Sequence, residues 1–423
     1  MEKFKEHFTI DSRLVREGST FFALEGEKVD GHSFLEEVKK RGGKAAVVRE
    51  RYAGENFGLD LIRVRSPLEH LQKLAQDKIE KRKPKIVGIT GSVGKTITKE
   101  WISTIVGEAF PVAFTKGSEN TKCTLPLTIL NHWNEEQYLV LEMGMTHKGD
   151  LARLAQIAPP DLAIITSIAL THAVNFASLK GIAEAKGEIF SQDKTSFCLL
   201  PYEVNEKETL LSCIKTPYKT FSSTSLSADL FVTVRKEKLV VMEEGREICF
   251  QNPHLPDHLL SNLAAALLAA RHLGVSWEQI ETAIAKLKLP PKRMEWVEKS
   301  GVRFLNDCYN ANMLSTKGAL QSFGKENGRK IFVFGEIREL GDFSAHCHEE
   351  LGNFSLDHAD LLFALGDDAA LLHQVWQEKG KESYHFLCKQ ELAELLKKTV
   401  KEGDVILLKG SKPHGLWTLL EEF

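Results

Sequence analysis

The sequence has no CxxC pair, no low-complexity tract and no apolar run long enough to cross a bilayer. Its most apolar helical stretch, residues 259–270, is interrupted by Ser261 and Asn262 and stays well below the roughly 20 residues of a membrane span. Membrane insertion is therefore not expected. The seven cysteines stand singly, at no metal-binding spacing and in odd number, which excludes a disulfide framework and fits a reducing compartment. The formal net charge is only −3, so the basic excess that nucleic acid or an anionic surface would call for is missing. The start, MEKFKEHFTID, has charges with no apolar run behind them and does not read as a signal peptide. A cytoplasmic monomer is expected.

What is present fills several domains. At roughly 100–200 residues per domain, 423 residues allow two to four, each large enough for its own core. Three blocks emerge. In the first, residues 1–83, short β-like runs at 20–24, 45–49 and 61–64 lead to a charged helical stretch at 70–83, and Pro84 punctuates its end. The second, 84–292, opens with a strand-like run at 85–89. Further apolar runs at 138–141 and 162–168 alternate with helical patterns, as in a parallel α/β sheet. Between 231 and 251 the texture changes to alternating strand pairs turning at 243–246, which predicts an antiparallel patch. A helix is expected over 257–273, and Pro290-Pro291 marks a hinge. The third block, 293–423, repeats one unit four times, with apolar runs ending at Asp307, Gly335, Gly366 and Lys409. Ligands of open α/β sheets bind beyond the carboxyl ends of the strands, so function is expected where Asp307, Glu336 and Lys409 stand.

The sharpest local signal is Thr90-Gly91-Ser92-Val93-Gly94-Lys95-Thr96, after a strand and before a helix expected over 97–106. Gly91 and Gly94 let successive backbone N–H groups, Ser92 among them, turn toward a phosphate, and the helix N-terminus adds partial positive charge. Lys95 then reaches the β/γ-phosphates of ATP, and the Thr96 hydroxyl is placed for Mg2+. The loop is shorter than a full GxxxxGKT, because Ile89 stands where that pattern has its first glycine.

Other candidates are less specific by themselves. Glu142 follows an apolar run and suits a strand-end Mg2+ ligand, whereas a lone His172 after a strand is more often a structural hydrogen-bonder and a helical Lys186 is usually a solvated cation. His258 and Asn262, four apart, share one helix face suited to adenine or ribose; the same spacing suits two polar residues that satisfy each other. Ser12 and Arg13 form a pair suited to a pyrophosphate or uracil.

These segments resemble the Mur ligase family of ATP-dependent amide-bond ligases from Asp11 to Ser411. The short phosphate loop, Leu141-Glu142-Met143-Gly144, Thr171-His172-Ala173 and Ala185-Lys186-Gly187-Glu188-Ile189 look like consecutive family segments. The resemblance implies that Thr96, Glu142, His172 and an Nζ-carbamylated Lys186 hold Mg2+. The stretch from Leu255 to Ala265 is similar to the family's GxHNxxNxxAA, with Pro256 for its glycine and Leu259 for its first asparagine. It implies nucleotide contacts for His258 and Asn262, joined by the hinge arginine Arg293. Asp307-Cys308-Tyr309-Asn310-Ala311-Asn312 resembles a DxYNAN signature that sets one branch apart and implies that Asp307 and Asn310 orient ATP or the incoming amine. The runs from Gly335 to Gly341 and from Lys409 to Lys412 resemble GDMxELG and KGSR, with Glu336 for Asp and Lys412 for Arg. In the first block Asp11-Ser12-Arg13, Phe22 to Gly26 and Asp30-Gly31-His32 resemble the family's domain for the UDP end of the substrate.

The fold so implied has three domains: a small N-terminal α/β domain (1–83), a central P-loop parallel-sheet ATPase domain with an antiparallel patch (84–292), and a C-terminal Rossmann-like α/β domain (293–423). The implied reaction joins D-Ala-D-Ala to UDP-MurNAc-tripeptide through an acyl phosphate, with Lys95, Lys186, His172 and Asp307 as catalytic residues. Ser12, Arg13, Asn120, Lys409 and Ser411 are the implied substrate contacts. The family's GNxNNxxGxP loop survives at 117–126 only as Gly117, Asn120 and Pro126. A MurE-like or folylpolyglutamate synthase-like ligase would share the loop, Glu142, His172 and Lys186 without the Tyr309-to-Asn312 run. A non-catalytic nucleotide-binding homologue would be expected to have lost Lys95 or Glu142.

Overall fold

The computed structural model describes residues 6–26 and 29–423. The charged start at residues 1–5 lies outside them. Strands β1 (Phe8–Thr9), β2 (Thr20–Phe22), β3 (Ala45–Arg49) and β4 (Asp60–Val64) pair in that order, all parallel. The helix Pro67–Arg82 leads out of this sheet. The Ser66 hydroxyl caps it, Pro67 occupies its first turn, and Lys83 stops it in a left-handed conformation at φ 51°.

The second sheet contains β5 (Lys85–Thr90), β6 (Val112–Phe114), β7 (Tyr138–Glu142), β8 (Leu162–Ile165), β9 (Phe197–Pro201), β10 (Tyr218–Ser222), β11 (Leu230–Arg235), β12 (Lys238–Glu243) and β13 (Arg246–Gln251). Their spatial order is β13-β12-β11-β10-β9-β8-β5-β7-β6. Pairing is parallel from β6 to β11 and antiparallel through β12 and β13, so the patch expected at 231–251 forms as two hairpins. Central strands such as β7 and β8 are buried along their whole length, which is why they read as unbroken apolar runs. The run expected to continue to 168 stops at Ile165, because Thr166 and the residues after it turn away to hold the phosphate loop.

One face of this sheet carries the helices Lys95–Val106 and Leu260–His272. The latter is apolar nearly all round and buried from Leu263 to Ala270, as a helix clamped between sheet and neighbouring helix must be. The other face carries Thr124–Asn131, Asp150–Ile157 and Leu179–Gly187.

The third sheet has β14 (Glu295–Lys299), β15 (Val302–Asp307), β16 (Lys330–Gly335), β17 (Leu361–Leu365), β18 (Ser383–Phe386) and β19 (Val405–Lys409), in the order β14-β15-β19-β16-β17-β18. All pairs are parallel except the edge hairpin β14–β15. The apolar core is continuous between the second and third units: Leu305, Ala311 and Leu320 belong to the same buried cluster as Leu259 and Leu263. Among the described residues no helix is long and apolar enough to cross a membrane.

Candidate active site

In the second sheet β5 lies between β8 and β7, so chain connections leave to both sides of its carboxyl end and open a crevice there. The phosphate loop fills that crevice mouth. Gly94 has φ 86°, and a Cβ added there would meet Asn262 Nδ2 at 2.0 Å; one added at Gly91 would meet Thr166 Oγ1 at 2.0 Å. Only glycine fits either position. The loop is pinned from the segment after β8. Ser92 N–H donates to the Ser167 carbonyl (2.9 Å), Val93 N–H to Ser167 Oγ (2.8 Å), and Ser92 Oγ to the Ala169 carbonyl (2.8 Å). Thr166 and Ser167 went unnoticed in the sequence, where they look like the end of a strand.

Lys95 folds back so that Nζ donates to the Gly91 carbonyl at 2.7 Å. Burial holds its pKa below the ordinary lysine range against the pull of Glu142, and Arg293 adds to the depression. Thr96 Oγ1 donates to Glu142 Oε2 (2.8 Å), and the other carboxylate oxygen accepts from Asn120 Nδ2 at 2.7 Å. Glu142 is buried, the last residue of β7, with its N–H held by Thr115 Oγ1 at 3.0 Å. Lys186 is buried in the helix Leu179–Gly187; desolvation, then Lys95, push its pKa well below normal. His172 sits at φ 54°, and its Nδ1 meets Glu339 of the third unit. Desolvation lowers its pKa while Glu339 opposes this.

Among the described residues no three His, Cys, Asp or Glu side chains cluster as a metal cage. The donor set here is of another kind. A hydroxyl and a buried carboxylate already in contact, an imidazole, and a buried lysine amine whose pKa is lowered would fit a hard cation were the amine a carbamate, with phosphate or water oxygens filling the remaining positions. The hydroxyls of Thr90 and Thr171 beside them are buried with no hydrogen-bond partner among the described residues, as groups facing a polar ligand would be.

His258 and Asn262 share a face but do not bond to each other. Asn262 Nδ2 donates to Thr98 Oγ1 (3.0 Å) and reaches the Gly94 carbonyl (3.5 Å), fastening its helix to the phosphate loop. His258 Nδ1 lies 3.3 Å from Ser322 Oγ across the interface with the third unit. Burial pushes its pKa down to about 4. It borders a cavity of about 470 Å3 with Asp257, Gly318, Ser322, Lys325 and His358.

The third unit closes the site. Arg293 lies between two residues in left-handed conformations, Lys292 (φ 61°) and Met294 (φ 49°), and its Nη2 donates to Thr96 Oγ1 at 3.0 Å. Asp307, at the end of β15, accepts from Met294 N–H (3.2 Å) and pairs with Lys409 Nζ at 2.7 Å. Lys409 is buried and also donates to the Asn310 carbonyl (2.7 Å), so its ammonium fixes Asp307 and the Asn310 turn from inside. Asn310 itself is exposed. Ser411 is buried, its Oγ accepting from Arg338 N–H at 3.0 Å. Ser12 and Arg13 stay within the first unit, where Ser12 Oγ donates to Glu37 (3.0 Å) and Arg13 is clamped to Asp11 at 2.7 Å.

Three family models match the chain: "Mur ligase family, catalytic domain" over residues 6–79, "Mur ligase middle domain" over 89–270, and "Mur ligase, glutamate ligase domain" over 292–412. The UDP-N-acetylmuramoyl-tripeptide–D-alanyl-D-alanine ligase of Bacillus subtilis is 33% identical, covering 97% of this chain and 92% of its own. Among solved structures, MurF from Acinetobacter baumannii superposes with TM-score 0.87 at 26% identity, covering 98% of this chain and 92% of its own. MurF ligase from Thermotoga maritima in complex with ADP gives 0.83 at 28% identity, covering 100% and 98%. With the phosphate loop, the buried Glu142 and the third unit docked over them, these likenesses leave one conclusion: the chain belongs to the Mur ligase family, on its MurF branch.

Proposed function

We propose that this chain joins D-Ala-D-Ala to UDP-MurNAc-tripeptide with conversion of ATP to ADP and phosphate, giving the pentapeptide used in peptidoglycan synthesis, as its full-length relatives are named for doing. The observation that carries this reading is the contact of Arg293 with Thr96, which places the DxYNAN-bearing unit directly over the phosphate loop. The division of labour follows the three sheets: 1–83 for the UDP end, 84–292 for ATP, 293–423 for the amine. The setting is the cytoplasm and the working form a monomer.

A carboxylate is a poor acylating agent, so its oxygen first attacks the γ-phosphorus and ADP leaves, producing an acyl phosphate. Lys95, folded against Gly91 of the phosphate loop, and Arg293, bonded to Thr96, stabilise the negative charge on the transferring group. Thr96, Glu142, His172 and a carbamylated Lys186 would hold Mg2+, which supplies further positive charge against the phosphate oxygens. Burial, with Lys95 nearby, lowers the Lys186 pKa and so favours the neutral amine, the form that adds to carbon dioxide and loses a proton to become an anionic oxygen donor. The amine of D-Ala-D-Ala, with a pKa of about 8, is partly neutral near pH 7 and attacks the acyl carbon, expelling phosphate. Docking of the third unit excludes water while this happens. Gly91, Ser92 and Gly94 cradle the phosphates, and His258, Asn262 and Asn310 are assigned to the nucleotide. Asp307, fixed by Lys409, orients the amine; Ser12, Arg13, Asn120, Lys409 and Ser411 are assigned to the UDP-peptide substrate, directly or through the groups they hold.

The deciding experiment incubates the protein with ATP, Mg2+, D-Ala-D-Ala and UDP-MurNAc-tripeptide carrying either diaminopimelate or lysine, and identifies products by mass. ADP and a UDP-MurNAc-pentapeptide are expected. Absence of pentapeptide with both tripeptides overturns the reading.

A further inference from the structure

The loop at 117–126, where the family pattern is largely lost, is tied to the third unit by one side-chain pair. Tyr309 Oη donates to Ser118 Oγ at 2.5 Å. Two residues on, Asn120 bonds Glu142, and Gly144 N–H donates to the Asn120 carbonyl at 2.8 Å, so the loop also rests on the end of β7. The Arg293 guanidinium, the group that bonds Thr96, lies over the Tyr309 ring, 4.1 Å from its centroid. Lys412 Nζ lies 5.7 Å from the same ring. A closed circuit results: Thr96, Arg293, Tyr309, Ser118, Asn120, Glu142 and back to Thr96. It crosses the hinge and passes both through the phosphate site and through the divergent loop.

We propose that Tyr309 is a positioning residue whose hydroxyl, through Ser118, holds the 117–126 loop against the docked third unit, so that the activated acyl group meets the amine rather than water. Its ring keeps Arg293 in place by a cation–π contact; its hydroxyl does the separate task of closing the loop. Without that bond the third unit can still dock, but the loop edge is free to open. Water then attacks the acyl carbon, the bond to the phosphate oxygen breaks, and tripeptide carboxylate and inorganic phosphate are released. ATP is consumed with no amide formed.

This inference rests on the ligase reading, and the wild-type protein tests that reading first: one ADP should appear per pentapeptide. If no pentapeptide forms at all, the ligase reading fails. In wild type that does couple, Tyr309→Phe keeps the ring over Arg293 and removes only the hydroxyl, and Ser118→Ala removes its partner. Each is expected to raise the ADP released per pentapeptide by about three- to tenfold, the scale of one neutral hydrogen bond. KM for ATP should stay unchanged and KM for D-Ala-D-Ala should rise. The double variant should be no leakier than either single one, because both remove the same bond. A ratio that stays at one ADP per product in the single variants, or effects that multiply in the double, overturns the proposal. Should Tyr309→Phe fail to fold, Ser118→Ala decides alone on the same ratio.

Discussion

Lys95 bonded to the Gly91 carbonyl and Thr96 bonded to Glu142 tie the phosphate loop to itself and to the end of β7. At this scale the tightest constraint is Gly94. An alanine there places Cβ against Asn262 Nδ2 and strains a φ of 86°, so Gly94→Ala should weaken ADP binding at least tenfold, about 1.4 kcal/mol, in a calorimetric titration. Unchanged affinity would show that Asn262 does not brace the loop. Lys186 offers a second test. Intact-protein mass in bicarbonate should rise by one carbon dioxide and Lys186→Ala should abolish both the gain and turnover. A free amine in wild type together with full activity in the variant disposes of the carbamate. The phosphate loop was legible in the sequence because phosphate binding demands particular residues at fixed spacing, whereas Lys186 was singled out only through the family resemblance, which also decided between two readings of Asn262. Glu339 and Ser118 were not legible, since each acquires meaning only from a partner in another unit.

At the scale of elements, the helix Lys95–Val106 does more than present the phosphate loop. Lys99, wholly buried, donates Nζ to the carbonyls of Thr115 (2.5 Å) and Gly117 (2.8 Å) and pairs with Glu100 at 2.9 Å. It fastens the start of the divergent loop to the nucleotide helix. Lys99→Met leaves two carbonyls without a donor and should cost about 3 kcal/mol, read as a lower urea midpoint. KM for the UDP-tripeptide should rise more than KM for ATP. If stability and both constants hold, the lysine is not the loop's anchor. Element boundaries followed the sequence at β3, which is confined to Ala45–Arg49 as expected, whereas β2 and β8, though buried throughout, stop at Phe22 and Ile165, short of their expected ends at 24 and 168. Boundaries failed at β6 and β18. These edge strands are only partly buried and short, and the Ser383-Tyr384-His385-Phe386 alternation of β18 spans just four residues, too few to stand out as a strand.

Across the whole molecule, docking of the third unit buries ionisable groups that the separate units would leave in water. His258 lies in that interface with its pKa pushed down to about 4. Its folded pKa is below the unfolded value of 6.5, so the unfolded or undocked state takes up the proton first. Stability from this group is complete above about pH 6.5 and is lost as pH falls toward 4, on the order of 3 kcal/mol in all. Thermal unfolding between pH 7 and pH 4 should be steeper for wild type than for His258→Gln. Identical slopes would remove His258 from the acid sensitivity.

The sequence by itself determined the α/β class, the phosphate loop, the strand-end carboxylate and the family, because each depends on local spacing or on runs of burial that one segment encodes. Only the tertiary structure decided that Lys409 faces inward to Asp307, that His258 and Asn262 serve different partners, and that Tyr309 closes on Ser118. Those are contacts between segments tens to hundreds of residues apart. Side-chain chemistry says what such groups can bond; only the packing of one sheet against another says which partner they meet.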